Sequence, residues 1–173
     1  MPHLAELFRA SQSDEERAAF VQEMLVLIDA ADQPRYDVLP ALRLVCTWLA
    51  QRSGGDPSAL RRLEKAQEQM QDHQSAASLH EVQAFTARLH GEWAQVAAGY
   101  EAAAAKWQAL ERPYDRLRAL AELGEALAHT GDKDIAATVH RQATALVKQL
   151  PAELGNRALK EAFMASPLVS RWS

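Results

Sequence analysis

An all-α fold is predicted by composition, punctuation and periodicity. Alanine is the commonest of the 173 residues, glycine and proline number 7 each, and the β-branched or aromatic runs that mark strands are nearly absent. Two stretches copy one another. Arg112-Pro113-Tyr114-Asp115, an alanine- and leucine-rich run and Gly131-Asp132 echo Pro34-Arg35-Tyr36-Asp37, a similar run and Gly54-Gly55-Asp56. Gly91-Glu92-Trp93 punctuates a further run between them, so the marker glycines 54, 91 and 131 stand 37 and 40 residues apart. A period of that size in helical sequence predicts stacked helical hairpins, each unable to bury its apolar face without a neighbour.

The elements follow in order. Pro2 to Phe8 reads as a short helix or an arm. Ser13 as N-cap with Glu16 reaching back forms a capping box that opens an N-terminal helix over about 14–30, with Phe20, Met24, Leu27 and Ile28 at helical spacing. A first hairpin covers about 37–72. Its first helix tolerates Pro40 in the opening turn and carries Leu44, Val45 and Trp48 as an apolar stripe. Ser53-Gly54-Gly55 ends it, and Asp56-Pro57 restarts the chain toward Leu60, Leu63, Ala66 and Met70.

A second hairpin is expected over about 75–110, opened by a capping box of Ser78 and Glu81 and turned at Gly91. Trp93, Val96, Tyr100, Ala103 or Ala104, and Trp107 face inward from its second helix. The third hairpin, about 113–150, turns at Gly131-Asp132, and Pro151 begins a terminal segment to about 165. Short turns between helices imply antiparallel neighbours. The whole chain reads as one domain, 1–173, with a sizeable core.

Charge and special residues narrow the function. A net charge of −4 gives no basic footprint for nucleic acid, and the clusters Arg61-Arg62 and Arg116 with Arg118 have acidic neighbours. Cys46 is alone inside the apolar run 42–49, which reads as a buried structural thiol. No apolar run approaches the ~20 residues that span a bilayer, and the opening 16 residues hold no signal core, so no membrane association and a cytoplasmic location are expected. His73 with His80, and Glu125 with His129, do not supply the convergent ligands of a zinc site, and no nucleophile–base arrangement is legible. No metal, no cofactor and no catalysis are expected.

Aligned on the three glycines, the hairpins resemble tetratricopeptide repeats over about residues 37–150. The third fits best, with Leu120, Leu123, Gly124 and Leu127 before Gly131-Asp132 and Ala136 and Ala143 after it. The second offers Ala84, Ala87, Gly91, Val96, Tyr100 and Ala103. The first, with Ala50, Gly54, Ala59, Leu63 and Ala66, is loosest. The stretch Trp93 to Asp132 is also similar to the longer-period repeats downstream of the ATPase in large LuxR-type bacterial regulators, although the chain has no GxxxxGK[ST] loop and no evident helix-turn-helix. The resemblance implies a right-handed stack of antiparallel hairpins whose first helices line a concave face.

On that face the resemblance places Trp48, Gln51 and Arg52, then Phe85 and Arg88, then Arg118, Glu122, Glu125 and His129. Aromatics among charges on a rigid curved surface suit a partner peptide or helix, which makes a noncatalytic protein-interaction module, in bacterial regulation, the expected role. Charge reversal at Arg88 and Arg118 is expected to weaken binding and spare the fold. A homodimer through the apolar terminal residues Phe163, Met164, Leu168, Val169 and Trp172 is the second expectation, and a signal-peptide or small-molecule sensor is the third.

Overall fold

The structure is a computed structural model that describes residues 7, 8, 10–30, 38–53 and 57–172. Among the described residues every regular element is a helix. After a helical stretch at Leu7 and Phe8, the order is α1 (Asp14–Asp29), α2 (Leu39–Ser53), α3 (Pro57–Met70), α4 (His73–Leu89), α5 (Trp93–Ala109), α6 (Pro113–Thr130), α7 (Lys133–Glu153), α8 (Arg157–Met164) and α9 (Pro167–Ser170). The expected copy at 34–37 and the turn at 54–56, with Asp56 as cap, lie outside the described residues.

From α3 to α7, two- or three-residue turns fold each helix back onto the one before it. These turns share one backbone device. Gln71, Gly91, Glu111 and Gly131 all take left-handed φ, at 48°, 74°, 53° and 84°, so the device recurs every 20 residues. After α4 and α5 it closes in the same way: Glu92 N–H donates to Ala87 C=O and Arg112 N–H to Trp107 C=O, each at 3.0 Å. After α3 and α6 a single bond does the work, Gln71 N–H to Gln67 C=O at 2.8 Å and Gly131 N–H to Leu127 C=O at 2.9 Å. Two of the four positions are glycine, where the conformation is free of Cβ strain. Gln71 and Glu111 adopt it against that strain.

Helix starts are read partly as expected. Ser13 Oγ accepts from Glu16 N–H at 3.1 Å, but the Glu16 carboxylate takes the Ser11 hydroxyl at 2.8 Å instead of returning to Ser13. That hydroxyl is the first cause holding the Glu16 carboxyl below its usual range. The box expected at Ser78 and Glu81 does not form. Asp72 caps α4 by accepting from Gln74 and Ser75 N–H at 2.7 and 2.8 Å, so Ser78 and Glu81 lie well inside the helix and are buried. The polar stretch 73–78 is therefore helix, its Ser75 and Ser78 hydroxyls returned to the carbonyls of Asp72 and Gln74. Pro151 likewise stays in the last turn of α7, and Asn156, accepting from Ala158 and Leu159 N–H, starts α8.

Two apolar clusters form the core, and α4 serves both. Phe8, Val21, Met24, Leu39, Leu42, Val45, Cys46, Leu63 and Val82 make the first. The second runs from Ala77 and Ala84 through Val96, Tyr100, Ala103 and Trp107 to Leu117, Leu123, Val139, Leu146 and Phe163. Burial of Val21 in place of Leu27 rotates the inward stripe of α1 from the expected one. Helices α4 and α5 cross closely, so that a Cβ on Gly99 would stand 2.8 Å from Ala84 Cβ and 3.2 Å from His80 C=O.

Two expectations follow for urea unfolding monitored by circular dichroism. Glu111→Gly raises stability and Gly131→Ala lowers it, each by about 1 kcal/mol, because no heavy atom stands within 4 Å of a Cβ at Gly131 and the backbone alone sets the cost. Gly99→Ala lowers stability by about 1–3 kcal/mol, since a methyl against the Ala84 methyl forces α4 and α5 apart.

Candidate binding groove

Three alternate helices, α2, α4 and α6, present side chains to one groove. On α2, Pro40, Leu44, Thr47 and Gln51 follow helical spacing along one face. On α4, Glu81, Phe85 and Arg88 do the same, and α6 adds Arg118, Ala119 and Glu122. Tyr100 of α5 closes the floor and Leu89 stands at the rim, around a cavity of about 600 Å³.

Glu81 organises the floor. Its residue exposure is 6%, yet its carboxylate accepts four bonds from three helices. Arg43 Nη1 of α2 donates at 2.7 Å, Trp107 Nε1 of α5 at 2.8 Å, and Arg118 Nη2 of α6 at 2.9 and 3.1 Å to the two oxygens. Asp115, one turn before Arg118, takes the same Nη2 at 3.3 Å and also pairs with Arg112 at 3.1 Å. Buried carboxylates persist where such charge-assisted bonds offset desolvation. Burial pulls the Arg43 guanidinium below its usual value, and Glu81 opposes that pull. The guanidinium also lies 6.0 Å from the Trp107 ring centroid.

A second cluster forms the far rim. Arg88 Nη1 donates to Glu122 at 2.7 Å and Arg88 Nη2 to Glu125 at 2.5 Å, tying α4 to α6. Between the clusters, burial first, then Glu122 and Glu81, raises the Tyr100 phenol far above its usual value. Tyr100 is thus a neutral hydroxyl at any ordinary pH. Arg118 Nε is buried without a hydrogen-bond partner among the described residues, so the floor keeps an unused donor.

The nine residues expected on one face divide. Gln51, Phe85, Arg88, Arg118 and Glu122 line the cavity. Glu125 stands behind Arg88 as its second acceptor. Trp48 and Arg52 leave the groove: Trp48 meets Phe8 edge-on at 6.0 Å, and Arg52 covers the Trp48 ring at 5.0 Å while pairing with Asp14 at 2.7 Å. They sit one position round the helix from Thr47 and Gln51, and about 100° per residue carries Trp48 onto Phe8 and Arg52 onto the start of α1. His129 leaves the groove as well: it stacks on Trp93, ring centroids 3.6 Å apart and nearly parallel.

Arg43, Glu81 and Tyr100 were not expected in the groove. The i, i+4, i+7 series Glu81, Phe85, Arg88 carries the signal on α4, but a cap assignment for Glu81 hides it. The terminal apolar residues also turn inward more than expected. Phe163 and Val169 are buried and Leu168 and Trp172 pack on the core, while Met164 stays 47% exposed. Among the described residues no group of three His, Cys, Asp or Glu side chains is placed to hold a metal, and no helix is long and apolar enough to cross a membrane.

Arg118 is therefore structural as well as exposed to the groove, which corrects the expectation that its charge reversal spares the fold. Glu81→Ala strands the buried Arg43 guanidinium, leaves Arg118 with Asp115 alone, and lowers stability by about 3–5 kcal/mol. Glu125→Ala, removing one partly exposed partner of Arg88, costs less than about 1 kcal/mol. Urea denaturation of both variants beside wild type reads the contrast.

Comparison with protein-family models, curated proteins and solved structures finds no match to this chain.

Proposed function

We propose that the chain is a tetratricopeptide-like stack of helical hairpins and acts as a noncatalytic interaction module, the groove of α2, α4 and α6 receiving an extended or helical segment of a protein partner. The observation that carries this reading is the groove itself. It is about 600 Å³, lined by Phe85, Leu44 and Tyr100 beside Arg43, Arg88 and Arg118, with the arginines held by partners on other helices. Pre-ordered side chains lose little entropy when a ligand arrives, and arginine and aromatic anchors dominate peptide recognition. The recurrence of the left-handed turn every 20 residues, hence every 40 for a helix pair, supports the hairpin-stack part of the reading. The LuxR-type likeness of Trp93 to Asp132 makes bacterial regulation the setting we infer.

The lining also sets the kind of segment. Arg43, Arg88 and Arg118 are matched by Glu81 and Glu122 in the lining and by Glu125 and Asp115 directly behind it, so the groove presents paired charges next to apolar side chains. A segment with an apolar side chain flanked by hydrogen-bonding polar groups is complementary to that surface.

Leu89, 43% exposed at the rim, and Gln51, also exposed, probe the groove without touching the core. A displayed random-peptide library selected on wild type should enrich sequences that bind the Leu89→Arg, Gln51→Arg variant at least tenfold more weakly, about 1.4 kcal/mol. Enriched peptides that bind both proteins equally contradict this groove as the site, and failure to enrich any sequence contradicts the peptide-binding reading.

A further inference from the structure

The last described residues occupy a slot of their own. The ring of Trp172 lies between α6 and α7, so close to Gly124 that a Cβ there would stand 3.2 Å from its Cη2 and 3.9 Å from Val139 Cγ1. His140 approaches the ring at 5.4 Å between centroids. One residue earlier, Arg171 Nη1 reaches Glu122 at 3.5 Å. Val169, 1% exposed, fixes the segment from below, and Trp172 N–H donates to its carbonyl at 2.9 Å. This is a recognition arrangement in miniature: an aromatic anchor in a pocket floored by glycine, with a guanidinium paired at the edge.

The fit is incomplete in three respects. About 660 Å³ of open cleft remains around the ring, because Ala121, Ala136 and Ala137 offer only methyl groups. Trp172 Nε1 is buried without an acceptor among the described residues, which costs the desolvation of that donor. The Arg171–Glu122 pair is long beside the 2.7 Å pair that Glu122 makes with Arg88. The helix of the segment, α9, is four residues long, and beyond the buried Val169 and the packed Leu168 it is anchored by one ring and one loose ion pair.

We propose that the α6–α7 slot is a peptide-binding site for an Arg-Trp element, filled in cis by Arg171 and Trp172 and able to take the same element from a second copy of the chain. The slot shares Glu122 with the rim of the groove, but its ring pocket at Gly124 and His140 lies outside the groove lining and is tested without reference to what the groove binds. What recognises the element is the glycine floor at Gly124, the tilted His140 ring and the Glu122 carboxylate. A second copy carries the matching segment by definition, and exchange requires no surface beyond the one already built.

The test uses the full chain and a fluorescein-labelled peptide of residues 166–172, Ser-Pro-Leu-Val-Ser-Arg-Trp. Fluorescence anisotropy should show saturable binding to Trp172→Ala, in which the slot is vacated. Binding should be at least tenfold weaker to wild type, whose own ring competes, and lost when Gly124→Val fills the floor of the vacated slot. Absence of saturable binding to a Trp172→Ala chain with native circular dichroism overturns the proposal, as does binding that Gly124→Val leaves unchanged. If Trp172→Ala fails to fold, hydrogen exchange on wild type decides. Excess unlabelled peptide should accelerate exchange at the Trp172 amide, and an unchanged rate means that the segment is fixed and the proposal is wrong.

Discussion

The carboxylate of Glu81 is the constraint on which the arrangement of α2, α4, α5 and α6 depends. It is one side chain on α4, yet it terminates donors from the other three helices. A single buried carboxylate with four accepted bonds fixes relative positions in a way that apolar contact does not, since apolar faces slide at small cost while charge-assisted bonds fail within a fraction of an ångström. Its removal leaves two guanidiniums without their shared acceptor, so the penalty falls on the partners as much as on Glu81. The groove and the core are therefore not separate achievements of the sequence. The residue that seals one forms the floor of the other.

Around that junction the helices are spaced by two simpler devices. The left-handed residues at 71, 91, 111 and 131 reverse the chain after equal lengths of helix, which keeps alternate helices on the same side. Gly99 against Ala84 lets α5 approach α4 closely enough for Trp107 to reach across to Glu81. Alternation then brings α2, α4 and α6 to a common surface, where salt links from α4 to both neighbours run along the groove floor and rim. The arginines are consequently pre-ordered and largely neutralised. Such a surface has a preset shape and paired charges, with little of the long-range field that a strongly basic face exerts.

Much of the helical frame was legible in the chain because it is written locally. Ser13, Gly91, Gly131 and Pro113 act through backbone geometry within a few residues, and the helix boundaries they mark agree with the structure to within a few residues. The buried state of Cys46 and Trp107 was legible from apolar spacing alone. Non-local demands were not. Ser78 and Glu81 have the spacing of a capping box, and only the distant Arg43, Trp107 and Arg118 make Glu81 an interior acceptor. The groove face was misread on α2 for a related reason: Trp48 and Arg52 are as amphipathic as Thr47 and Gln51, and the choice between faces was made by Phe8 and Asp14, from elsewhere in the chain. The turns at Gln71 and Glu111 fall at the expected hairpin boundaries, but their left-handed backbone was not legible because neither residue is the glycine that such backbone favours.

A double-mutant cycle on Arg43→Ala and Arg118→Ala tests the central role of Glu81 most directly. The two arginines belong to different helices and communicate through the carboxylate they share. The account predicts a coupling energy of about 0.5–3 kcal/mol in unfolding free energy, because each loss alters what Glu81 offers the other. Additivity to within about 0.3–0.5 kcal/mol would contradict it, showing that the two pairs act separately and that Glu81 does not hold the groove together.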